Sequence, residues 1–465
     1  MNRHNYGISE QDIQLIHEKS MFLLARNGVQ FRSKTVLELF QNHGFHVNGD
    51  IVYMQEKDIW NAFSTVPKSF IWTGRETSVE IGGKKQIFGP SYGPVYVLEN
   101  DIYHKSNYED FIRFQQLNET STVMQIMNPN ILDLSFLKSP VYSEWAQAMT
   151  LTLSTKPVMG MVDSSIQALH SIRMTKEFYG TDHQIVVCGL VNMESPFCYP
   201  DYVCDAITVY ASEGQCIILT PSAMSGITAP DSLSGLLLVN NTEILAGIVL
   251  TQLINPGVPV LYGNQSHSVD LRSCLPIVGS AEQSLIYASV KAFGDFYGIP
   301  VRTGGATSDA KLADMQSGAE SCSNLLASVT SGADLVLHTC GVLSADLGIS
   351  FDKYIYDEEI LQSVQRFSKG IDVSEEALQI DKILSIGPGR NYLDRTSKYY
   401  RNDYRRAKIP DRESYAFWMK HGAETFTNRT RAAYLERLNQ YETKLPTREQ
   451  MEVLLQYVPG ELLRP

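Results

Sequence analysis

The sequence predicts an α/β protein built on a closed (β/α)8 TIM barrel, with a helical and hairpin extension before it and helices after it. Three observations carry that expectation. Seven short apolar runs each precede a helical stretch, at a spacing of roughly 30–50 residues. The runs are continuously apolar rather than alternating, as strands of a parallel sheet covered on both faces must be. No GxGxxG follows the first of them, which argues against an open dinucleotide-binding sheet.

The elements follow in order. Residues 1–120 read as an extension packed on the barrel. "SEQDIQLIHEKSMFLLARNG" starts at a Ser cap, carries apolar residues three and four apart, and stops at Gly28; "SKTVLELFQNHG" repeats the pattern. Between 70 and 105 the period changes to two, in "FIWTG", "SVEIGGKKQIFGP" and "PVYVLENDIYHK", which predicts a small hairpin layer. Residues 121–400 hold the barrel, with strands in "STVMQIMNP", "PVMGMV", "QIVVCGLV", "QCIILTPS", "VPVLYGN", "IPVRTGG" and "ADLVLHTCG". For the eighth strand the nearest candidate is "KILSIGPGR" at 382–390. Residues 401–465 are charged and helical, and are expected on the barrel's outside.

Composition narrows the class. A net charge of −12 over 465 residues argues against a nucleic-acid partner. The polar N-terminal stretch "MNRHNYGISEQD" lacks the apolar core of a signal peptide. The long apolar segment "SGLLLVNNTEILAGIVLTQLI" is broken by Asn240, Asn241, Thr242 and Glu243, so it reads as a buried helix rather than a membrane span. Seven cysteines, an odd number without a CxxC pair, fit reduced thiols in a cytoplasmic protein.

Standard catalytic signatures are missing: no GxxxxGK[ST], no HExxH and no GxSxG. The ten histidines are scattered without metal-ligand spacing, so no metal site is expected. In this barrel type the reacting groups sit on loops at the C-terminal strand ends. Here those loops are rich in Gly, Ser, Thr and Asn and poor in charge, as in "VDSS", "TPSAMSGITAP" and "YGNQSHSVDLR". Such a mouth is wide, polar and nearly neutral. It lacks the facing carboxylates of a glycosidase and the Lys or Arg at a helix start that a phosphate site uses. The bare backbone of "RTGGATSDAK" makes room for something large and flat. Tyr92, Tyr96, Phe197, Tyr199, Tyr262 and Phe351 lie near these ends. Any one alone is ordinary packing, whereas several converging rings would cage a quaternary ammonium. Arg302 and Arg272 are the cations available for a substrate carboxylate, although Asp309 and Asp270 stand close enough in sequence to occupy them. His338 closes a strand and reads first as a structural histidine.

Five stretches carry a resemblance. "NTEILAGIVLTQLINPGVPVLYGNQSHSVDLRS", "GGATSDAKLADMQSGAES", "YDEEILQSVQRFSKGIDV", "NGVQFRSKTVLELFQNHGFHVNG" and "FGPSYGPVYVLEN" resemble the trimethylamine methyltransferase (MttB-like) family, over nearly the whole chain and in the same order. The resemblance implies a barrel that delivers a methylated amine to a corrinoid cofactor on a separate small protein, and a homo-oligomer. Founding trimethylamine enzymes carry pyrrolysine, and this chain shows only the twenty standard residues. It is therefore similar to the members lacking pyrrolysine, demethylases of glycine betaine, proline betaine, carnitine or γ-butyrobetaine, with glycine betaine (giving dimethylglycine) the leading substrate.

Under that resemblance Tyr92, Tyr96, Phe197, Tyr262 and Phe351 become cage candidates. Arg302, with Arg272 second, would anchor the carboxylate, with His338 donating to it, and Gly304, Gly305, Ser308 and Asp309 would line the corrinoid entry. A quaternary nitrogen is already a good leaving group, so positioning alone is required and no general acid or base. Two alternatives stay open: a non-catalytic betaine-binding barrel, and an unrelated barrel lyase or hydrolase using Asp309.

Overall fold

The structure, a computed structural model, describes residues 7–393 and 398–463. Residues 1–6 of the polar N-terminal stretch lie outside that range. The barrel closes with eight parallel strands. They are β1 (Ile87–Phe88), β2 (125–127), β3 (Val158–Met159), β4 (Val187–Met193), β5 (Cys216–Pro221), β6 (Val260–Tyr262), β7 (Arg302–Gly304) and β8 (Leu335–Leu337). Registers run Val158↔Val187, Cys188↔Cys216 and Ile217↔Val260. A bridge joins Tyr262 to Val301, and Arg302 pairs with Leu335. Closure is made by Leu335↔Ile87, by the Gln125 N–H donating to the Phe88 carbonyl at 2.9 Å, and by the Met127↔Val158 bridge.

This corrects two expectations. The eighth strand is not 382–390, where Ile380–Ile386 is a helix, but Ile87–Phe88 from the hairpin region. The barrel consequently begins well before residue 121. Two residues followed by Gly89-Pro90 give too short a run to read as a barrel strand. What makes them one is the row of backbone groups on β8, which Ile87 and Phe88 satisfy.

Inward-facing side chains of alternate strand positions form one apolar cluster, including Ile87, Ile126, Met159, Leu190, Ile218 and Leu337. The expected hairpin layer is present as Phe70–Thr73 paired with Ser78–Ile81. It plugs the N-terminal end of the barrel: fully buried Trp72 joins the inner cluster and donates from Nε1 to the Val186 carbonyl at 3.2 Å.

Outside lie α1 (Tyr108–Thr120), α2 (Tyr142–Leu153), α3 (Ser165–Tyr179), α4 (Asp201–Ser212), α5 (Leu233–Ile254), α6 (Ala281–Tyr297), α7 (Met315–Ser331) and α8 (Phe351–Ser368). Side chains of Ser164, Ser232, Ser280, Asp314 and Ser350 cap α3, α5, α6, α7 and α8. Left-handed Gly180, Gly298 and Gly332 end α3, α6 and α7.

Helix α5 is long and apolar enough to cross a membrane, yet 72% of its apolar window is buried within the protein. Its polar residues act as internal clamps. Asn241 donates to Ser20 Oγ (2.8 Å) and Tyr297 Oη (2.9 Å), fixing the N-terminal helix Glu10–Arg26 to the barrel. The Glu243 carboxylate accepts from the Phe197 N–H (2.7 Å) and Ser195 Oγ (2.9 Å). C-terminal helix Phe426–Asn439 packs on α8 and α1 through pairs such as Arg437–Glu358 (2.5 Å). All seven cysteines are free.

Candidate active site

Arg302 begins at the sheet itself. Val301 faces outward, against Gly294 of α6, so strand alternation turns Arg302 into the barrel. There it is 0% exposed. Its Nη1 donates to the Asn264 carbonyl at 2.5 Å and to Gln265 Oε1 at 2.8 Å, both on the loop after β6. Nε and Nη2 have no partner among the described residues.

His338 ends β8 with a left-handed φ of 54°. Its unpartnered Nδ1 lies 3.8 Å from Asp346 Oδ1, which is unpartnered too. The other Asp346 oxygen accepts from Gln265 Nε2 at 3.1 Å, so Gln265 bridges Arg302 and Asp346. Burial brings the guanidinium down to about 10. Burial, with the Arg302 charge adding to it, holds His338 down to about 3. Burial pushes Asp346 up to about 6, against the pull of Arg302. At neutral pH the cluster thus holds a charged Arg302, a neutral His338 and a largely ionised Asp346. Asp346 keeps 22% of its side chain accessible, while its Oδ1 facing His338 is buried.

The loop after β8 is strained: Ser344, Ala345 and Asp346 have φ of 53°, 53° and 69°. It is held there by the β7 loop, the Ser344 N–H donating to the Ala310 carbonyl (2.9 Å) and the Ala345 N–H to the Ser308 carbonyl (3.0 Å). Beneath both loops Lys353 and Asp357 of α8 form an ion pair of 2.6 Å with neither side chain exposed. Lys353 Nζ also donates to the Ala306 carbonyl (3.1 Å), and Asp357 accepts from the Gly341 N–H (2.7 Å). One helix therefore clamps the loops of β7 and β8 together.

Several expected residues stand elsewhere. The bareness of Gly304 and Gly305 serves packing: a Cβ on Gly304 would lie 2.1 Å from Tyr287 Oη, and one on Gly305 would lie 2.7 Å from the Thr339 Cα. Ser308 Oγ is taken by Glu320 (2.6 Å), and the Asp309 carboxylate accepts from the N–H groups of Val278 (3.0 Å) and Gly279 (2.9 Å). All four are engaged by contacts within the chain, the glycines by close packing and Ser308 and Asp309 by hydrogen bonds.

The aromatic box does not assemble as expected either. Tyr262 turns to the helix layer, stacked on Phe293 with its Oη donating to Asn241 (3.1 Å). Phe351 stacks on Phe114 at 4.0 Å under the Arg113 guanidinium. Phe197, with φ of 57°, is held by Glu243 and packs beside α5. Tyr96 is 40% exposed and faces Tyr103. Tyr92 alone of the five packs on the inner barrel cluster, its Oη accepting from Asn130 (3.0 Å). Arg272 is 90% exposed and bound bidentately by Asp270 (3.0 and 2.7 Å). Of the expected set, Arg302 and His338 are the two brought together.

Asp346, Gln265 and Asn264 were not legible as site residues. The one usable signal was position, since all three lie on loops at strand ends. Among the described residues no group of three or more His, Cys, Asp or Glu is placed to hold a metal ion.

A parallel barrel with a buried, half-satisfied arginine beside the C-terminal loops has the layout of a barrel enzyme, whose site lies at that face. The comparisons with known proteins say which. The chain belongs to the trimethylamine methyltransferase (MTTB) family, whose profile matches residues 3–459, and it is a methyltransferase. It is 32% identical over 427 residues to the glycine betaine methyltransferase of Desulfitobacterium hafniense strain Y51, covering 90% of this chain and 89% of that one. It is 35% identical over 436 residues to the proline betaine:corrinoid methyltransferase of Eubacterium limosum, covering 89% of each. The fold is shared with the Methanosarcina barkeri monomethylamine methyltransferase, with TM-score 0.52 and 15% identity, covering 99% of this chain and 93% of that one.

Proposed function

We propose that this chain transfers a methyl group from a betaine to a Co(I) corrinoid carried by a separate small protein, with glycine betaine the first substrate and dimethylglycine the product. One observation carries the reading: Arg302, fully buried inside the barrel, keeps two N–H-bearing nitrogens unpartnered beside a neutral histidine. Burial leaves such donors unsatisfied at a penalty of about 1–3 kcal/mol, which a substrate carboxylate would relieve. Gln265 fixes the fork so that Nε and Nη2 point away from the protein contacts already made by Nη1. Neutral His338 can add a donor without adding charge.

The corrinoid, as second substrate, supplies the electron pair that attacks the methyl carbon. The C–N bond breaks with its electron pair staying on nitrogen, which leaves as a neutral tertiary amine. No proton moves, so the chain's work is to grip the carboxylate, orient one methyl outward and keep water away. The names of the two betaine-specific relatives support the substrate class. Proline betaine, carnitine and γ-butyrobetaine would use the same anchor. Seven free cysteines support a cytoplasmic setting, and exposed apolar side chains such as Ile371, Leu384 and Tyr415 support a homo-oligomer.

The test mixes the protein, cob(I)alamin and each amine, and follows methylcobalamin by absorbance. Turnover with betaines is expected. Binding of betaine without any spectral change would favour a betaine-binding barrel and end the methyltransferase reading for this substrate class.

A further inference from the structure

Lys353 and Asp357, one turn apart on α8, are hydrogen-bonded to neither Arg302 nor His338. Neither side chain is exposed, and Asp357 Oδ1 has no hydrogen-bond partner among the described residues. A pair in that state adds little stability, because desolvating two charges offsets most of their attraction unless the remaining lone pairs are bonded. Apolar side chains of similar volume would fill the space as well. The polar contacts point to another use. Lys353 Nζ donates to Ser321 Oγ on α7 (2.7 Å) and to the Ala306 carbonyl in the loop after β7 (3.1 Å). Asp357 Oδ2 accepts from the Gly341 N–H in the loop after β8 (2.7 Å). Both backbone groups lie close to the candidate anchor. Ala306 follows Gly305, which is pressed on the end of β8: a Cβ there would lie 2.7 Å from the Thr339 Cα and 2.9 Å from the His338 carbonyl oxygen. Gly341 ends the turn that His338 begins, and both have left-handed φ, 86° and 54°. A histidine keeps that conformation only where its surroundings impose it. Here the Pro90 carbonyl accepts from the His338 N–H at one end (3.1 Å), and Asp357 holds Gly341 at the other.

Resting on the betaine reading above, we propose that Lys353 and Asp357 are positioning residues for the substrate carboxylate: by joining the loops that leave β7 and β8, the pair sets the spacing of Arg302 and His338. Arg302 stands four residues before Ala306, and His338 three before Gly341. A carbonyl of one loop and an N–H of the other are drawn to adjacent atoms of a single junction. An apolar filling would occupy the same space and leave the two loops free to drift apart. Charge-assisted hydrogen bonds are shorter and stronger than neutral ones, so they hold the loops closely in register. The precision matters at a two-point grip, where a misplacement of about 1 Å costs up to about 100-fold.

The test removes both charges together, since one alone would leave the other buried and unpaired. Lys353→Met with Asp357→Asn keeps the volumes and an oxygen for the Gly341 N–H. In the full chain, with folding checked by circular dichroism, kcat/KM for glycine betaine is expected to fall about tenfold, mostly through KM. The same two substitutions placed in Arg302→Ala are expected to change kcat/KM less than about twofold, because no anchor remains to be positioned. Equal losses in the two backgrounds would mark the pair as a general support of the fold and overturn the proposal. An unchanged KM in a folded double variant would overturn it too, and in either case the betaine reading stands. If the double variant does not fold, Asp357→Asn alone is measured in the same two backgrounds by the same criteria, and failure of both to fold overturns the proposal. Absence of methyl transfer from any betaine by the wild type overturns both the positioning role and the betaine reading.

Discussion

Two arginines close neighbouring loops of the same barrel mouth and have opposite fates. Arg272, at the tip of the hairpin after β6, is almost wholly in water and clasps Asp270 two residues away. Arg302, on β7, is sealed in the lumen, ignores Asp309, and keeps part of its hydrogen-bonding capacity unused. The first pair is a local turn contact that solvent would replace without loss. The second is a charge that the fold has paid to bury and not fully satisfied, the state in which a bound carboxylate adds most.

The sharpest way to break the comparison is to remove each guanidinium in turn. Arg302→Ala is expected to lower kcat/KM for glycine betaine about 100-fold, the loss of a charge-assisted contact of about 1.5–3 kcal/mol. The reading is steady-state methylcobalamin formation. An effect of similar size with a carboxylate-free quaternary amine would remove Arg302 from the anchor role.

Next in size, Gly304→Ala tests whether the glycine beside Arg302 serves packing or clearance. A methyl there meets Tyr287, and the expected loss is about 1–3 kcal/mol in urea unfolding. Gly304→Ala combined with Tyr287→Leu should recover part of it. A fully stable but inactive Gly304→Ala protein would mean that the bare backbone faces a ligand after all.

The third prediction uses pH. His338 is held down to about 3 in the folded chain against an ordinary value of 6.5. Below pH 6.5 the unfolded chain takes up a proton that the folded one refuses, so stability is full above 6.5 and falls as pH drops towards 3. Between pH 6.5 and 5 the contribution of His338 alone falls by about 2 kcal/mol, and Asp346, raised to about 6, offsets part of that loss over the same range. His338→Asn, which tolerates the left-handed backbone, should flatten that part of the profile. A slope unchanged in His338→Asn would show that the ring is protonated in the folded state as readily as in the unfolded one.

The smallest effect is expected at the exposed arginine. Arg272→Ala should leave both kcat/KM and the unfolding midpoint where they were. A loss of activity there would place the hairpin tip at the substrate or at the corrinoid protein.

Much of the barrel was readable because its signals are local. The serines before α3, α5, α6 and α8 and the glycines after α3, α6 and α7 act within a turn of the helix they bound. The apolar strand runs announce burial on both faces. Arg302 and His338 were readable as candidates because each stands at the end of such a run. Ile87–Phe88 was not, since a two-residue strand is defined by the neighbour it pairs with. Tyr262 and Phe351 misled for the same reason: a ring at a strand end has two faces to choose from, and Phe293 and Phe114 on the helices decided for them.

By itself, then, the order of residues determined the repeating units, their caps and the family, because those depend on periodicity and on contacts a few residues apart. Tertiary structure decided that Gln265 and Asp346 meet at Arg302, and that Lys353 and Asp357 clamp the loop that carries Asp346 to the loop after β7. Such meetings arise only when the ring of strands closes, because closure fixes which side chains share the low-dielectric interior and which remain in water.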